Sequence, residues 1–265
     1  MSKSKTAKFA ELGALPNVFE YPFGVLKSGV SFPYKGRWHE EVFHNDHPIV
    51  LELGCGKGEY TVGLAERFPE KNFIGIDIKG NRMWTGASEA HRKGLPNAYF
   101  LRTEIELADR FFEKGEVDEI WITFPDPQMK KVRKRLTSTG FLKLYRMITG
   151  DGALLHLKTD SPFLYGYTKA LAEAGSLTVL TDQSDVHGTL SPENPLRAIR
   201  TYYENQWLQR GLTIKYLAIV LDEKIDSAGE PDIDIEFDTY RSFGRNYSSL
   251  TSDDRQKCKI EQITK

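Results

Sequence analysis

From Ile49 onward the apolar residues fall into short runs separated by amphipathic stretches. Ile49-Val-Leu-Glu-Leu, ending at Gly54, has the continuous apolar character of a strand buried on both faces. Asn72-Phe-Ile-Gly-Ile-Asp77, Ala98 to Arg102, Glu116 to Thr123 and Ala153 to Thr159 repeat the pattern. Leu177 to Thr181 and Thr213 to Leu221 complete the predicted strands. Helices are predicted over Tyr60 to Phe68, closed by Pro69, and over a stretch reaching Lys93, stopped by Gly94 and Pro96. Two more are predicted over Phe141 to Ile148 and from the Ser161-Pro162 start to Ala174, with Ser as cap and Pro at the first helical position. Strands and helices that alternate with short connections predict an α/β fold, a mostly parallel sheet with helices on both faces. In such sheets a ligand lies beyond the carboxyl ends of the strands, at the switch point.

The flanks lack this regularity. Residues 1–48 carry loop chemistry (Leu15-Pro16-Asn17, Tyr21-Pro22, Phe32-Pro33, Lys35-Gly36) and read as an irregular arm with a mobile, lysine-rich start. The regular part spans 49–222, and 223–265 is an acidic segment followed by a polar, loosely held tail from Tyr240. Within it Ile233-Asp-Ile-Asp-Ile-Glu-Phe alternates like an edge or partner-pairing strand.

Charge sharpens the picture. The 265 residues hold 36 Lys and Arg against 37 Asp and Glu, but the signs are segregated. Seven bases and no acid lie between Pro127 and Arg146, whereas Leu221 to Thr239 holds eight acids and one lysine. A basic stripe can bind phosphate whatever the chain sums to, because screening confines each field to roughly 8 Å. Apolar runs such as Tyr216 to Leu221 are too short to span a bilayer, and the start lacks a secretory core. Cys55 and Cys258 form no disulfide framework or zinc ribbon. A soluble, cytoplasmic chain without membrane contact is expected.

Chemistry gathers at the predicted strand ends. Gly54, Gly56 and Gly58 open a helix, but Glu59 stands where a dinucleotide fingerprint needs its third glycine. Glu52, two residues before that turn, repels a pyrophosphate and suits a ligand carrying an ammonium or sulfonium charge. Asp77 is placed to accept both ribose hydroxyls, a role common to nicotinamide and S-adenosylmethionine sites. Thr103-Glu104 puts a third acid where an adenine amino group donates. In Phe124-Pro125-Asp126-Pro127 two prolines fix the backbone around Asp126, just before the basic stripe. Each acid alone also reads as a cap or solvated turn.

With these motifs the sequence resembles the tRNA (guanine-N7)-methyltransferases, class I enzymes that use S-adenosyl-L-methionine. The resemblance runs from Ile49 to Leu221 through Glu-Leu-Gly-Cys-Gly-Lys-Gly, Gly75-Ile-Asp77, Phe-Pro-Asp-Pro with Lys130, His156-Leu-Lys-Thr-Asp160 and Arg200-Thr201-Tyr-Tyr-Glu204. It implies a doubly wound, mostly parallel seven-stranded sheet of the Rossmann-like type. It also implies a cofactor site at Glu52, Gly54, Asp77, Glu104 and Asp126, with Asp126 catalytic. Lys130, Asp160, Thr201 and Glu204 would contact tRNA, the family's target being guanosine 46 of the variable loop. The family usually has Asp where this chain has Glu104, and Trp where it has Gln128.

Guanine N7 carries an in-plane lone pair, so alignment and electrostatics suffice without a strong base. No metal is expected: His39, His44 and His47 lack a completing shell, and Cys55 reads as a small packed residue. Tyr202, Tyr203 and Trp207 read as core of the helix before the last strand. Arg197 and Arg200 stand three apart beside Thr201. The chain would act as a monomer or homodimer. The alternatives are a methyltransferase of a small molecule or protein, and a non-catalytic RNA-binding relative.

Overall fold

The computed structural model describes residues 4–240. Its strands are β1 (Val18–Glu20), β2 (Ile49–Leu53), β3 (Asn72–Ile76), β4 (Ala98–Arg102), β5 (Val117–Thr123), β6 (Thr149–Thr159), β7 (Val179–Gln183) and β8 (Lys215–Leu221). They form one sheet in the order β1-β4-β3-β2-β5-β6-β8-β7. The strands β1 to β6 run parallel, whereas β8 is antiparallel to both β6 and β7. Winding reverses at β2, which pairs with β3 on one side and β5 on the other.

The helices are α1 (Lys5–Leu12), α2 (Phe23–Lys27), α3 (Glu59–Arg67), α4 (Gly80–Lys93), α5 (Thr139–Arg146), α6 (Pro162–Ala174), α7 (Val186–Thr189), α8 (Pro195–Ala198), α9 (Tyr202–Gln209) and α10 (Lys224–Ser227). Alternation along β2 divides the core, because successive side chains leave opposite faces of a strand. Ile49, Leu51 and Leu53 pack with Phe141 and Tyr145 of α5 and Tyr167 and Leu171 of α6. Val50 packs on the other face with Tyr60 and Leu64 of α3 and Met83 and Ala87 of α4. The predicted α6 start holds, with Ser161 Oγ accepting from Leu164 N–H at 2.9 Å.

The N-terminal arm is more regular than its sequence. It supplies α1, α2 and an eighth strand, β1, where seven strands were expected. The start expected to be mobile enters α1 at Lys5, and Leu12 of that helix is buried. Further along, Trp38 is fully buried, stacked on Phe112 and donating from Nε1 to Phe111 O at 2.9 Å. The Glu116 carboxylate accepts from Gly36 and Trp38 N–H at 2.9 and 3.0 Å. These long-range contacts order a stretch that has no period of its own.

The acidic segment also departs from expectation. Ile233 to Phe237 forms no strand. Residues 228–240 instead make an irregular strap held by side chains at both ends. Glu230 accepts from Thr139 N–H and Oγ1 at 2.9 and 2.6 Å. Asp238 accepts from Phe163 N–H at 3.1 Å and from the Ser161 hydroxyl, at the start of α6. Tyr240 donates to Asp160 at 2.6 Å, and its carbonyl accepts from Arg210 at 2.8 Å. The tail beyond Tyr240 lies outside the described residues.

One close approach sets where the first glycine turn sits. A Cβ on Gly86 of α4 would lie 2.6 Å from Lys57 O and 2.8 Å from Gly58 Cα. Gly86→Ala gains helix propensity of about 1 kcal/mol, but overpacking against backbone costs typically 1–3 kcal/mol. A net loss of stability is expected in urea unfolding, and a midpoint at or above wild type would contradict this packing account.

Candidate active site

The turn after β2 forms because its backbone groups find partners on β3. Gly54 and Cys55 N–H both donate to Ile76 O, at 2.8 and 3.0 Å. Gly54 has φ +73°, and no heavy atom of the described residues lies within 4 Å of where its Cβ would be. A left-handed backbone facing open space favours glycine and leaves room for a ligand. Asp77 closes the turn from β3, accepting from Gly56 N–H at 3.0 Å and Lys79 N–H at 2.8 Å.

Glu52 lies behind the turn rather than on its surface, at 3% exposure. It accepts from Thr61 N–H and Oγ1 at 2.8 and 2.6 Å, and from Thr123 Oγ1 at 2.8 Å. Burial pushes its carboxyl up to about 7, against the opposing pull of these hydrogen bonds. Burial likewise pushes the Cys55 thiol up, which suits a packed residue rather than a thiolate.

At the end of β5 the loop Phe124 to Gln128 is bracketed by two non-glycine residues in the left-handed region, Phe124 at φ 49° and Gln128 at φ 48°. Such backbone costs energy and concentrates at functional sites. Asp126 is exposed at the crest, its Oδ1 accepting from Gln128 N–H at 3.0 Å. From the other side, Arg135 is buried under the loop. It donates to Gln128 O and Met129 O at 3.2 and 2.7 Å and lies over the rings of Phe163 and Tyr167.

These parts enclose a cavity of about 500 Å³. Of the sequence-predicted residues, Gly54, Asp77, Asp126 and Thr201 line it. Ile105 and Glu106 line it in place of Glu104, whose carboxylate accepts from Phe23 N–H of the arm at 2.8 Å. Lys130 is exposed on the chain just beyond the Asp126 loop. Asp160 is buried beneath Tyr240, and Glu204 is fully buried beside Lys158 Nζ and His187 Nε2, at 2.7 and 2.8 Å.

Sequence reasoning missed Tyr203 and Trp207 as cavity residues. Both line it, and Tyr202 and Tyr203 are 51% and 37% exposed rather than core. Tyrosine and tryptophan carry a large apolar body with a polar tip, so their pattern does not separate core from a ligand wall. Lys57 Nζ lies 3.9 Å from the Tyr202 ring centroid, at the same rim.

The basic stripe divides. Lys130, Lys131, Arg133 and Lys134 are exposed, and Lys134 lines the cavity, whereas Arg135 turns inward. Lys134 also pairs with Glu106 at 2.9 Å. Arg146 is engaged elsewhere, with Asp151 at 2.6 Å. Among the described residues no His, Cys, Asp or Glu group could hold a metal, and no helix is long and apolar enough to cross a membrane. The His39 and His44 rings bond the carbonyls of His47 and Glu40.

Residues 46–217 match the family model described as "Putative methyltransferase". A tRNA (guanine-N(7)-)-methyltransferase of Porphyromonas gingivalis is 63% identical over 88% of this chain and 96% of its own. One of Bacteroides fragilis is 53% identical over 94% and 98%. A protein of the same name from Listeria monocytogenes is 32% identical over 77% and 92%. Among solved structures, the 16S rRNA methyltransferase KamB aligns with TM-score 0.52 at 19% identity, covering 68% of this chain and 91% of its own. At that identity the likeness speaks for the fold, a class I methyltransferase sheet.

The buried Glu52 generates a pH prediction. Its folded pKa of about 7 exceeds the ordinary 4.5, so the folded state binds the proton more tightly. Its contribution is complete below the unfolded pKa and is lost as pH rises through about 7. Measured by urea unfolding at about pH 5 and about pH 8, wild type should lose on the order of 3 kcal/mol relative to Glu52→Gln. An unchanged difference between the two proteins would refute the buried, protonatable carboxylate.

Proposed function

The chain belongs to the family of tRNA (guanine-N(7)-)-methyltransferases, and we propose that it transfers a methyl group from S-adenosyl-L-methionine to N7 of a guanine in tRNA. The target is guanosine 46 of the variable loop. The observation that carries this reading is the cavity itself, whose lining brings together the Gly54 turn, Asp77, Asp126 and Lys134 of the basic stripe.

The residues present fit the cofactor. A cavity of about 500 Å³ is the size of a nucleoside-bearing ligand's site. At Gly54 no atom of the described residues stands where a side chain would be. Asp77 offers a carboxylate for ribose hydroxyls, and Ile105 and Glu106 are part of the same lining. When bound, S-adenosylmethionine supplies an electrophilic methyl group on a sulfonium sulfur.

The protein's task is alignment. Guanine N7 attacks with its own lone pair as the carbon–sulfur bond breaks, and no proton has to leave. Positioning of this kind contributes about 7–11 kcal/mol to a barrier. Methylation leaves positive charge on the purine, which the fixed Asp126 carboxylate stabilises while accepting from the guanine N–H edge. Tyr203 and Trp207 offer aromatic surface to a base drawn from its stack, at about 1–3 kcal/mol per stacked base. Lys130, Lys131 and Arg133 take the phosphates, and Thr201, which lines the cavity, meets the substrate.

Purified protein with unmodified tRNA and radiolabelled S-adenosylmethionine should place label in 7-methylguanosine after digestion to nucleosides. Asp126→Ala should lower kcat by about 10²–10³-fold, the scale of a lost electrostatic partner. No label in the wild-type reaction, with cofactor binding intact, would sink the assignment. Separately, Lys130→Ala, Lys131→Ala and Arg133→Ala should each reduce the slope of log affinity against log salt by roughly 0.7–0.9. Slopes equal to wild type would remove these residues from the tRNA path.

A further inference from the structure

Lys158, near the end of β6, touches both of the cavity walls that come from distant parts of the chain. On one side its carbonyl accepts from Phe124 N–H at 2.8 Å, and its ammonium lies 5.5 Å from the Phe124 ring centroid. Phe124 is the left-handed residue that launches the Asp126 loop. On the other side the ammonium donates to Leu196 O at 2.5 Å and lies 2.7 Å from Glu204 Oε1. Those two residues bracket the segment that carries Thr201 and leads into Tyr203. Tyr60 Oη of α3 accepts from the same ammonium at 2.7 Å.

Stability alone is a poor reason for this cluster. The Lys158 side chain is wholly buried, and burial holds its ammonium down to about 8 despite Glu204. Glu204 Oε1 serves both Lys158 and His187, while its buried Oε2 has no hydrogen-bond partner among the described residues. A buried ion pair is often replaced by apolar residues without loss, and an orphaned buried oxygen is a net cost. What the pair does supply is directional contact with two walls at once.

We propose that Lys158 is a positioning residue that fixes the gap between the Asp126 loop and the Leu196 to Glu204 segment, and so the reach of the acceptor base. Glu204 is then the counter-ion of Lys158 rather than a group that touches tRNA. The inference rests on the tRNA methyltransferase reading for its substrate, but its geometry can be tested apart from activity.

The test uses the full chain with Lys158→Met/Glu204→Gln, which removes both charges together. The double variant should unfold near the wild-type temperature and keep S-adenosylmethionine binding, measured by calorimetry, within about twofold. Its kcat/KM for tRNA should fall roughly 10²-fold, the scale of an ångström misplacement. Backbone hydrogen exchange should quicken in residues 196–204 and stay unchanged in α6. Wild-type kcat/KM in the folded double variant, or unchanged exchange in 196–204, overturns the inference. A wild-type enzyme that leaves tRNA unlabelled overturns the functional reading instead, and the exchange result still decides the geometry. Should the double variant not fold, Tyr60→Phe removes one acceptor only. It should show the same split between tRNA and cofactor, at about tenfold or less, and its absence overturns the inference.

Discussion

The carboxylate of Glu52 is the junction on which the glycine-turn wall of the cavity depends. Three donors converge on it, two from Thr61 at the start of α3 and one from Thr123 at the end of β5. A parallel sheet delivers its strand ends to one edge, and there the Glu52 side chain ties the first turn of α3 to the end of the neighbouring strand β5. Glu52 makes that tie within the core, where a hydrogen bond is electrostatically stronger and a missing partner is costly. Gly54, Gly56 and Gly58 can therefore do without side chains, because the flanks of their turn are fixed from beneath.

Three walls of the cavity are held by three different physical means. The first is backbone geometry, a turn of left-handed glycines in which Gly54 and Cys55 N–H bond Ile76 O. The second is a stiff proline loop, held between Phe124 and Gln128 and underpinned by the buried Arg135. The third, with Thr201, Tyr203 and Trp207, comes from far along the chain and is fixed by the buried Lys158. Rigid elements placed by such supports are what alignment of reacting groups requires.

Most of the strand frame was legible because strands buried on both faces announce themselves as apolar runs. Asp77 and the glycine turn were legible because their position after a strand limits what they can do. β1 was not legible, since its three residues acquire their register from β4 alone. Ile233 to Phe237 has strand alternation but is held by Glu230 and Asp238 against α5 and α6. Alternation describes side-chain faces and cannot supply a pairing partner. Glu204 and Asp160 illustrate a further limit. Motif position brings a residue near a site, but burial decides whether its side chain points to the ligand or into the scaffold. Arg135 in the basic stripe is the same lesson in a charge run.

The strap from 228 to 240 has a bearing on how the molecule comes into being. Ribosomes deliver a chain from its N-terminus at about 5–20 residues per second, so Tyr240 follows Leu221 of β8 by about 1–4 s. By then every strand of the sheet has been synthesised, including both partners of β8. Ser161 and Asp160 meet Asp238 and Tyr240 only after that interval. The nascent protein thus passes through a stage with its sheet synthesised and its clasp still missing, and the last described residues to arrive are those that fasten it.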